Sequence, residues 1–227
     1  MIPSIIAHRG ASGREFENSR AAFARAVELG ADGVELDVHS TSDGIILVHH
    51  DAELPGLGPI GHLTFMQMGE FRLPNGEPVP TLPEVLEILG NLDVYVEVKT
   101  LSPAFDPALL AVLDQGPAPS RYAVHGFDHR IIARLGALRP GLPRGILLSS
   151  YPLDPLALMR SAGADTIWQD HSLIDAAIVD VVHGARGKLI AWTVNQPRDA
   201  RRLARLGVDG LCGNYPDRLR AAVKEVH

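Results

Sequence analysis

Four short groups of residues hold most of the chemistry available to this chain: His8-Arg9, Glu35-Leu36-Asp37, His50 and Glu97-Val98-Lys99. Side chains at i and i+2 share one face of a strand. Val34-Glu35-Leu36-Asp37-Val38 therefore sets two carboxylates on one face and apolar groups on the other. Two carboxylates held together away from water repel unless a cation joins them. The fitting cation is one hard divalent ion, Mg2+ or Ca2+, with Mn2+ a third choice. The competing reading is a solvated strand face with ordinary charges. Glu97-Val98-Lys99 repeats the logic, offering Glu97 as a third metal ligand and Lys99 as a phosphate contact or a counter-charge. Its competing reading is a Glu–Lys pair that neutralises itself.

His8-Arg9-Gly10 closes an apolar run. If that run is a barrel strand, its C-terminal end lies on the catalytic rim. Arginine donates two hydrogen bonds in a fixed plane, which suits phosphate, and histidine titrates near neutral pH. Glu17-Asn18-Ser19 precedes a helix, so Asn18 or Ser19 suits its N-cap, while Glu17 can support the metal or a histidine at the rim. Trp192 ends a late strand and is either an apolar wall for a substrate or core. His39, His62, His129, His171, His183 and His227 show no metal-ligand spacing and read mostly as surface groups; His125 ends a strand and can line the rim. The single cysteine, Cys212, reads as a small buried hydrophobe.

Alternation of short apolar runs with amphipathic helices supplies the elements that must position these groups. Strand candidates fall at 4–7, 33–38, 45–49, 94–98, 122–124, 145–148, 166–168, 189–194 and 210–212, with eight helices between and after them. Thr81-x-x-Glu84 is a capping box, and Asp106-Pro107, Asp154-Pro155 and Gln196-Pro197 place proline at helix starts. Leu29-Gly30-Ala31-Asp32, Ala162-Gly163-Ala164-Asp165 and Leu206-Gly207-Val208-Asp209 repeat one pattern of helix end, glycine cap and strand start. Nine strands are one too many for a (β/α)8 barrel. Ser42-Asp43-Gly44-Ile45 resolves the surplus as a tight hairpin, making 45–49 an antiparallel return strand after barrel strand 2. With Asp43-Gly44 as a two-residue loop, Ser42 faces Ile45 and Asp37 faces His50, which selects His50 over His49 as the functional histidine. The expectation is one TIM-barrel domain over 1–227, with 51–80 a rim loop or small insertion. A doubly wound sheet is the alternative, but no glycine-rich dinucleotide fingerprint supports it.

Composition narrows the function classes. The chain has 227 residues, 46% of them hydrophobic, and a net charge of −6. Acids and bases are interspersed with no basic stripe, which argues against nucleic acid as the main partner. Residues 1–7 reach His8-Arg9 at once and read as a first strand rather than a leader. No run approaches a membrane span, so a cytoplasmic chain is expected, with monomer and homodimer both open.

The chain resembles the glycerophosphodiester phosphodiesterase family. The residues that carry the resemblance are Ala7-His8-Arg9-Gly10-Ala11-Ser12, Glu17-Asn18-Ser19, Glu35-Leu36-Asp37-Val38, Asp43-Gly44 with His50-Asp51, Pro80-Thr81-Leu82, Glu97-Val98-Lys99, Trp192-Thr193-Val194-Asn195 and Gly207-Val208-Asp209-Gly210. The resemblance implies a (β/α)8 barrel, a divalent metal, and hydrolysis of a small-molecule phosphodiester to sn-glycerol 3-phosphate and an alcohol. It implies Glu35, Asp37 and Glu97 as metal ligands, His8 and His50 as the acid/base pair, Arg9 and Lys99 on phosphate, and Glu17 in support. Three places depart from the family pattern: Ala52-Glu53-Leu54-Pro55-Gly56 replaces an Arg-Thr-Thr stretch, His125-Gly126-Phe127 replaces Ser before Phe, and Gly213-Asn214 replaces Thr-Asp. All three are expected to bear on the alcohol rather than on the metal and histidine set. Two other readings compete: a Schiff-base lyase using Lys99, and a binding barrel without turnover.

Overall fold

Alternation decides which side of each barrel strand meets the helices and which meets the interior. Val34, Leu36 and Val38 on one strand, and Val94, Val96 and Val98 on its neighbour, join the main core under the helices. The residues between them face inward. The computed structural model describes residues 2–226, so Met1 and His227 lie outside the described residues.

The strands are β1 Ser4–His8, β2 Gly33–Ser40, β3 Ile46–Val48, β4 Glu53–Leu54, β5 Gly58–Pro59, β6 Asp93–Thr100, β7 Tyr122–Gly126, β8 Arg144–Leu148, β9 Thr166–Asp170, β10 Lys188–Trp192 and β11 Gly210–Gly213. The helices are α1 Arg20–Glu28, α2 Leu82–Leu89, α3 Asp106–Gln115, α4 His129–Leu138, α5 Pro155–Ala162, α6 Ala176–Gly184, α7 Pro197–Leu206 and α8 Pro216–Lys224. Strands β1, β2, β6, β7, β8, β9, β10 and β11 pair in parallel around a ring that closes from β11 to β1. β3 lies antiparallel on β2, outside the ring. The architecture is the expected TIM barrel with a return strand after its second barrel strand.

The repeated Gly-x-Asp connection has a physical reason. Asp32 donates its N–H to Ile5 O and accepts the Ile5 N–H on its carboxylate, at 2.9 and 2.8 Å. Asp209 makes the same reciprocal pair with Leu189, at 2.9 and 2.7 Å. Each aspartate stitches the incoming strand to the previous one at the N-terminal end of the barrel. Above these stitches the interior is filled by Ile6, Leu147, Trp168, Ile190 and Cys212, with Tyr95 packed edge-on to Trp168 at 5.2 Å. Gly145 leaves room for that indole, since a Cβ there would sit 2.8 Å from it.

The hairpin between β2 and β3 differs from the expected one. Val38 pairs with Val48, His39 with Leu47 and Ser40 with Ile46. Thr41 donates its N–H to Ile45 O, and its hydroxyl accepts the Ile45 N–H, both at 2.9 Å. The loop is therefore the three residues Ser42-Asp43-Gly44, with Gly44 at φ +84° in the left-handed position such loops require. The register moves by one residue, and it is His49, not His50, whose N–H reaches Asp37 O. The ladder ends at Val48, however, so strand parity no longer orients the two histidines.

Residues 51–80 are not a passive link. Leu54, Ile60, Met68, Leu73 and Val79 bury themselves on Leu47 of β3, forming a satellite cluster with Phe16 against it. From this segment Glu77 accepts the N–H groups of Arg20 and Ala21, at 2.8 and 3.2 Å, adding an anion to the N-terminus of α1. Among the described residues, no helix is long and apolar enough to cross a membrane.

Candidate active site

The C-terminal half of β2 is where the site begins. β1 covers one edge of β2 only as far as Glu35, and β3 takes over that edge at Val38. Asn18 occupies the gap between them. Its amide donates to Asp37 Oδ2 at 2.8 Å, and its Oδ1 accepts the Asp37 N–H at 3.4 Å. Ser19, by contrast, is the N-cap of α1 and accepts from Ala22 N. Of the two residues offered for the cap, Ser19 takes it and Asn18 holds a site carboxylate.

Three acids converge here. Glu35, Asp37 and Glu97 are only 2%, 0% and 6% exposed. Arg9 Nε lies 3.0 Å from Asp37 Oδ2, and Lys99 Nζ lies 3.2 Å from Asp37 Oδ1 and 2.8 Å from Glu97 Oε1. Burial would raise the Asp37 carboxyl, but Arg9, Lys99 and the Asn18 hydrogen bond outweigh it and bring it to about 2, with His50 adding to the pull. At Glu35 burial, then Asp37 and Glu97, push the carboxyl well above the usual carboxylate range; the charge of Arg9 and its backbone N–H pull the other way but are outweighed. Burial and Asp37 also lift Glu97 to about 7 against the pull of Lys99. Burial works to neutralise Lys99, but Asp37 and Glu97 hold its ammonium in place and raise it. A charged amine is a poor nucleophile, which disfavours Schiff-base chemistry.

Arg9 is aimed by its backbone as well as by its partners. It sits at φ 56°, in the left-handed region, and its one backbone N–H is shared between Glu35 O and Glu35 Oε2, at 2.8 and 3.1 Å. Its Nη1 donates to both Glu17 oxygens at 2.9 Å, leaving Nη2 without a protein hydrogen bond among the described residues. His8 faces Asn214 through Nδ1, 2.7 Å from Oδ1, while Nε2 lies 3.9 Å from Glu35 Oε2. Burial and then Arg9 lower the imidazole to about 4, so it is neutral at pH 7.

Next to Glu97 the wall is made of rings, beginning with His125, its register partner on β7. His125 is 1% exposed and stacks flat on Trp168, 4.2 Å between centroids. Burial lowers this imidazole to about 3. His125 offers one ring nitrogen to Glu35 and Glu97 such that all three donor atoms lie within 4.8 Å of one another. Trp192, at the end of β10, meets Phe127 edge-on at 5.6 Å and packs against the apolar plug.

The structure thus gathers His8, Arg9, Glu17, Asn18, Glu35, Asp37, Glu97 and Lys99 at one end of the barrel, with His50 at its edge and Trp192 at the end of β10. His50 turns Nδ1 to Asp51 Oδ1 at 2.8 Å, and His49 turns its own to the Asp51 carbonyl. His39 is no surface group. It is 2% exposed, bonding Thr100 Oγ1 at 2.8 Å and the His50 carbonyl at 3.1 Å, and so ties the His50 backbone to the barrel. Its signal was the parity of β2, which runs Glu35, Asp37, His39.

A sequence profile described as the Glycerophosphoryl diester phosphodiesterase family matches residues 8–218. The chain belongs to this family. A glycerophosphodiester phosphodiesterase of Caldanaerobacter subterraneus subsp. tengcongensis is 31% identical over 97% of this chain and 98% of its own length. One from Bacillus subtilis is 28% identical over 93% of this chain and 83% of its length. Among solved structures, a phosphodiesterase of Oleispira antarctica in complex with the product sn-glycerol-3-phosphate superposes with a TM-score of 0.90, at 25% identity, over 98% of this chain and 97% of that one. Within the glycerophosphoryl diester phosphodiesterase family pattern, two of the three departures fall elsewhere than expected. Asn214 touches His8, and His125 lies beside Glu35 and Glu97, so both sit among the residues expected to act as acid, base and ligands rather than apart from them.

Proposed function

We propose that this enzyme hydrolyses glycerophosphodiesters to sn-glycerol 3-phosphate and an alcohol, with one divalent ion at Glu35, Asp37 and Glu97 and with His8 and His50 moving the protons. The observation that carries this reading is the charge of the buried site. Three buried carboxylates (Glu35, Asp37, Glu97) and the partly exposed Glu17 at the edge surround two cations (Arg9, Lys99), and Glu35 and Glu97 are driven to keep protons that a dication would displace. When bound, such an ion would supply positive charge against the phosphate oxygens as charge develops on them.

The chain's own residues do the rest. Arg9, fixed by Glu17 and Asp37, presents its Nη2 donors to the phosphate. Lys99 stays charged beside Asp37 and Glu97 and can take a second phosphate oxygen. His8 is neutral, and with Nδ1 engaged by Asn214 its Nε2 is left to accept a proton from the nucleophile. That nucleophile is water or the substrate's adjacent hydroxyl, the latter giving a cyclic phosphate. In this reading His50, whose Nδ1 bonds Asp51 Oδ1, gives a proton to the leaving alkoxide.

The test is a panel of glycerophosphodiesters with small polar, amine-bearing and long apolar alcohols, each assayed with Mg2+, Ca2+ and Mn2+ for sn-glycerol 3-phosphate. At least one diester turns over. No release from any diester with any of the ions overturns the reading and favours a binding barrel.

A further inference from the structure

Among the described residues, His125 makes no hydrogen bond through either ring nitrogen. The ring is 1% exposed, and Nδ1 is a buried polar atom with no partner. Its Nε2 lies 3.9 Å from Glu35 Oε1, too far for a hydrogen bond. A buried imidazole left this way is costly, and native interiors rarely leave one unexplained. Trp168 stacks on the ring with 7° between the planes, and Tyr95 packs edge-on against the indole, which sits in the space that Gly145 leaves.

What the ring does have is a pair of carboxylates in front of it. One nitrogen of His125 and one oxygen each of Glu35 and Glu97 lie within 4.8 Å of one another. Donors bonded at roughly 2.0–2.2 Å to one ion lie about 3–4 Å apart, so 3.9 Å between Nε2 and Glu35 Oε1 suits two ligands of the same ion. We infer that His125 is a ligand of the ion held by Glu35 and Glu97, and that its nitrogen shifts this chain's preference from Mg2+ and Ca2+ toward Mn2+, Zn2+ or Co2+. Carboxylates alone suit hard ions, whereas imidazole adds affinity for first-row transition metals and little for Mg2+ or Ca2+. This inference rests on the reading of the site as a metal centre and adds a ligand that sets which metal occupies it.

The experiment uses the full chain stripped of metal, with calorimetric titration of Mg2+, Ca2+, Mn2+ and Zn2+ into the wild type, His125→Ser and His125→Gln. Circular dichroism and Tm select the variants that keep the fold. The expected result is a Kd for Mn2+ and Zn2+ weakened by about 10–100-fold in either variant, with Ca2+ and Mg2+ changed by less than about threefold. Pulsed EPR of the Mn2+-loaded wild type should show 14N coupling that the variants lose. Mn2+ binding without that coupling, or with equal affinity in wild type and variants, overturns the role of His125 and leaves the metal centre standing. A wild type that binds none of the four ions overturns both.

Discussion

The two halves of the barrel interior are built from the same strands with the same inward parity, yet they do opposite things. β1 presents Ile6 to the lower half and His8 to the upper; β6 presents Tyr95 and then Glu97. Two residues along a strand, about 7 Å, separate a dry plug from a cluster of charges. The lower half, with Ile6, Leu147, Trp168, Ile190 and Cys212, stabilises the fold by burying apolar surface. The upper half costs stability. Glu35 and Glu97 are buried beside each other and beside Asp37, and two cations do not balance them. The plug supplies the stability that lets the same strands carry a site strained by its own charge. Trp168 belongs to both halves, since one face of its indole supports His125.

If the halves are divided in this way, mutations in them should separate activity from stability. His8→Ala should lower kcat by about 10²–10⁴-fold while Tm is unchanged or slightly raised, as steady-state assay and calorimetry will report. Ile190→Ala should do the reverse, lowering unfolding free energy by about 2–5 kcal/mol in denaturant titration with kcat within about threefold of wild type. A plug mutation that removes turnover without destabilising the fold would break the comparison.

Glu97 sharpens it through pH. The folded, metal-free chain keeps the Glu97 proton up to about pH 7, whereas the unfolded chain releases it near the model-peptide value of 4.5. The folded state therefore binds more protons across that window, and its stability falls as pH rises through it. Glu97→Gln removes this titration. Metal-free Glu97→Gln should show a flatter stability profile between pH 4.5 and 7 and be more stable than wild type at pH 8, on the order of 1–3 kcal/mol. The smallest effect is expected at Asn214. Asn214→Ala frees the His8 Nδ1 and should reduce kcat by about tenfold or less with KM little changed, since the ring loses its orientation but not its nitrogen.

Much of this arrangement could be read from residue order, because alternation is a local property. The Val-Glu-Leu-Asp-Val and Val-Glu-Val-Lys patterns announce two strands with charged inner faces, and the glycine caps mark where each helix turns back. His39 obeys the same parity and could have been placed with Asp37. The hairpin register was not legible in this way. Asp-Gly allows loops of two or three residues, and the choice fell to the Thr41 hydroxyl, which completes the Ile45 pair. Asn214 and His125 were beyond local reading for a different reason. Asn214 meets His8 across 206 residues because β11 closes the ring beside β1, and His125 faces Glu35 only through the curvature of the barrel. Sequence spacing places residues on a rim but does not say which of them meet across it.

In the proposed function the charged upper half holds a cation and uses it on a phosphodiester. The most direct measurement is release of sn-glycerol 3-phosphate by one preparation of the enzyme, before metal stripping, in excess chelator, and after add-back of each divalent ion in turn. The prediction is turnover that falls by at least about 10²-fold in chelator and returns with a divalent ion, while the fold persists throughout. Full turnover in excess chelator after stripping would contradict it.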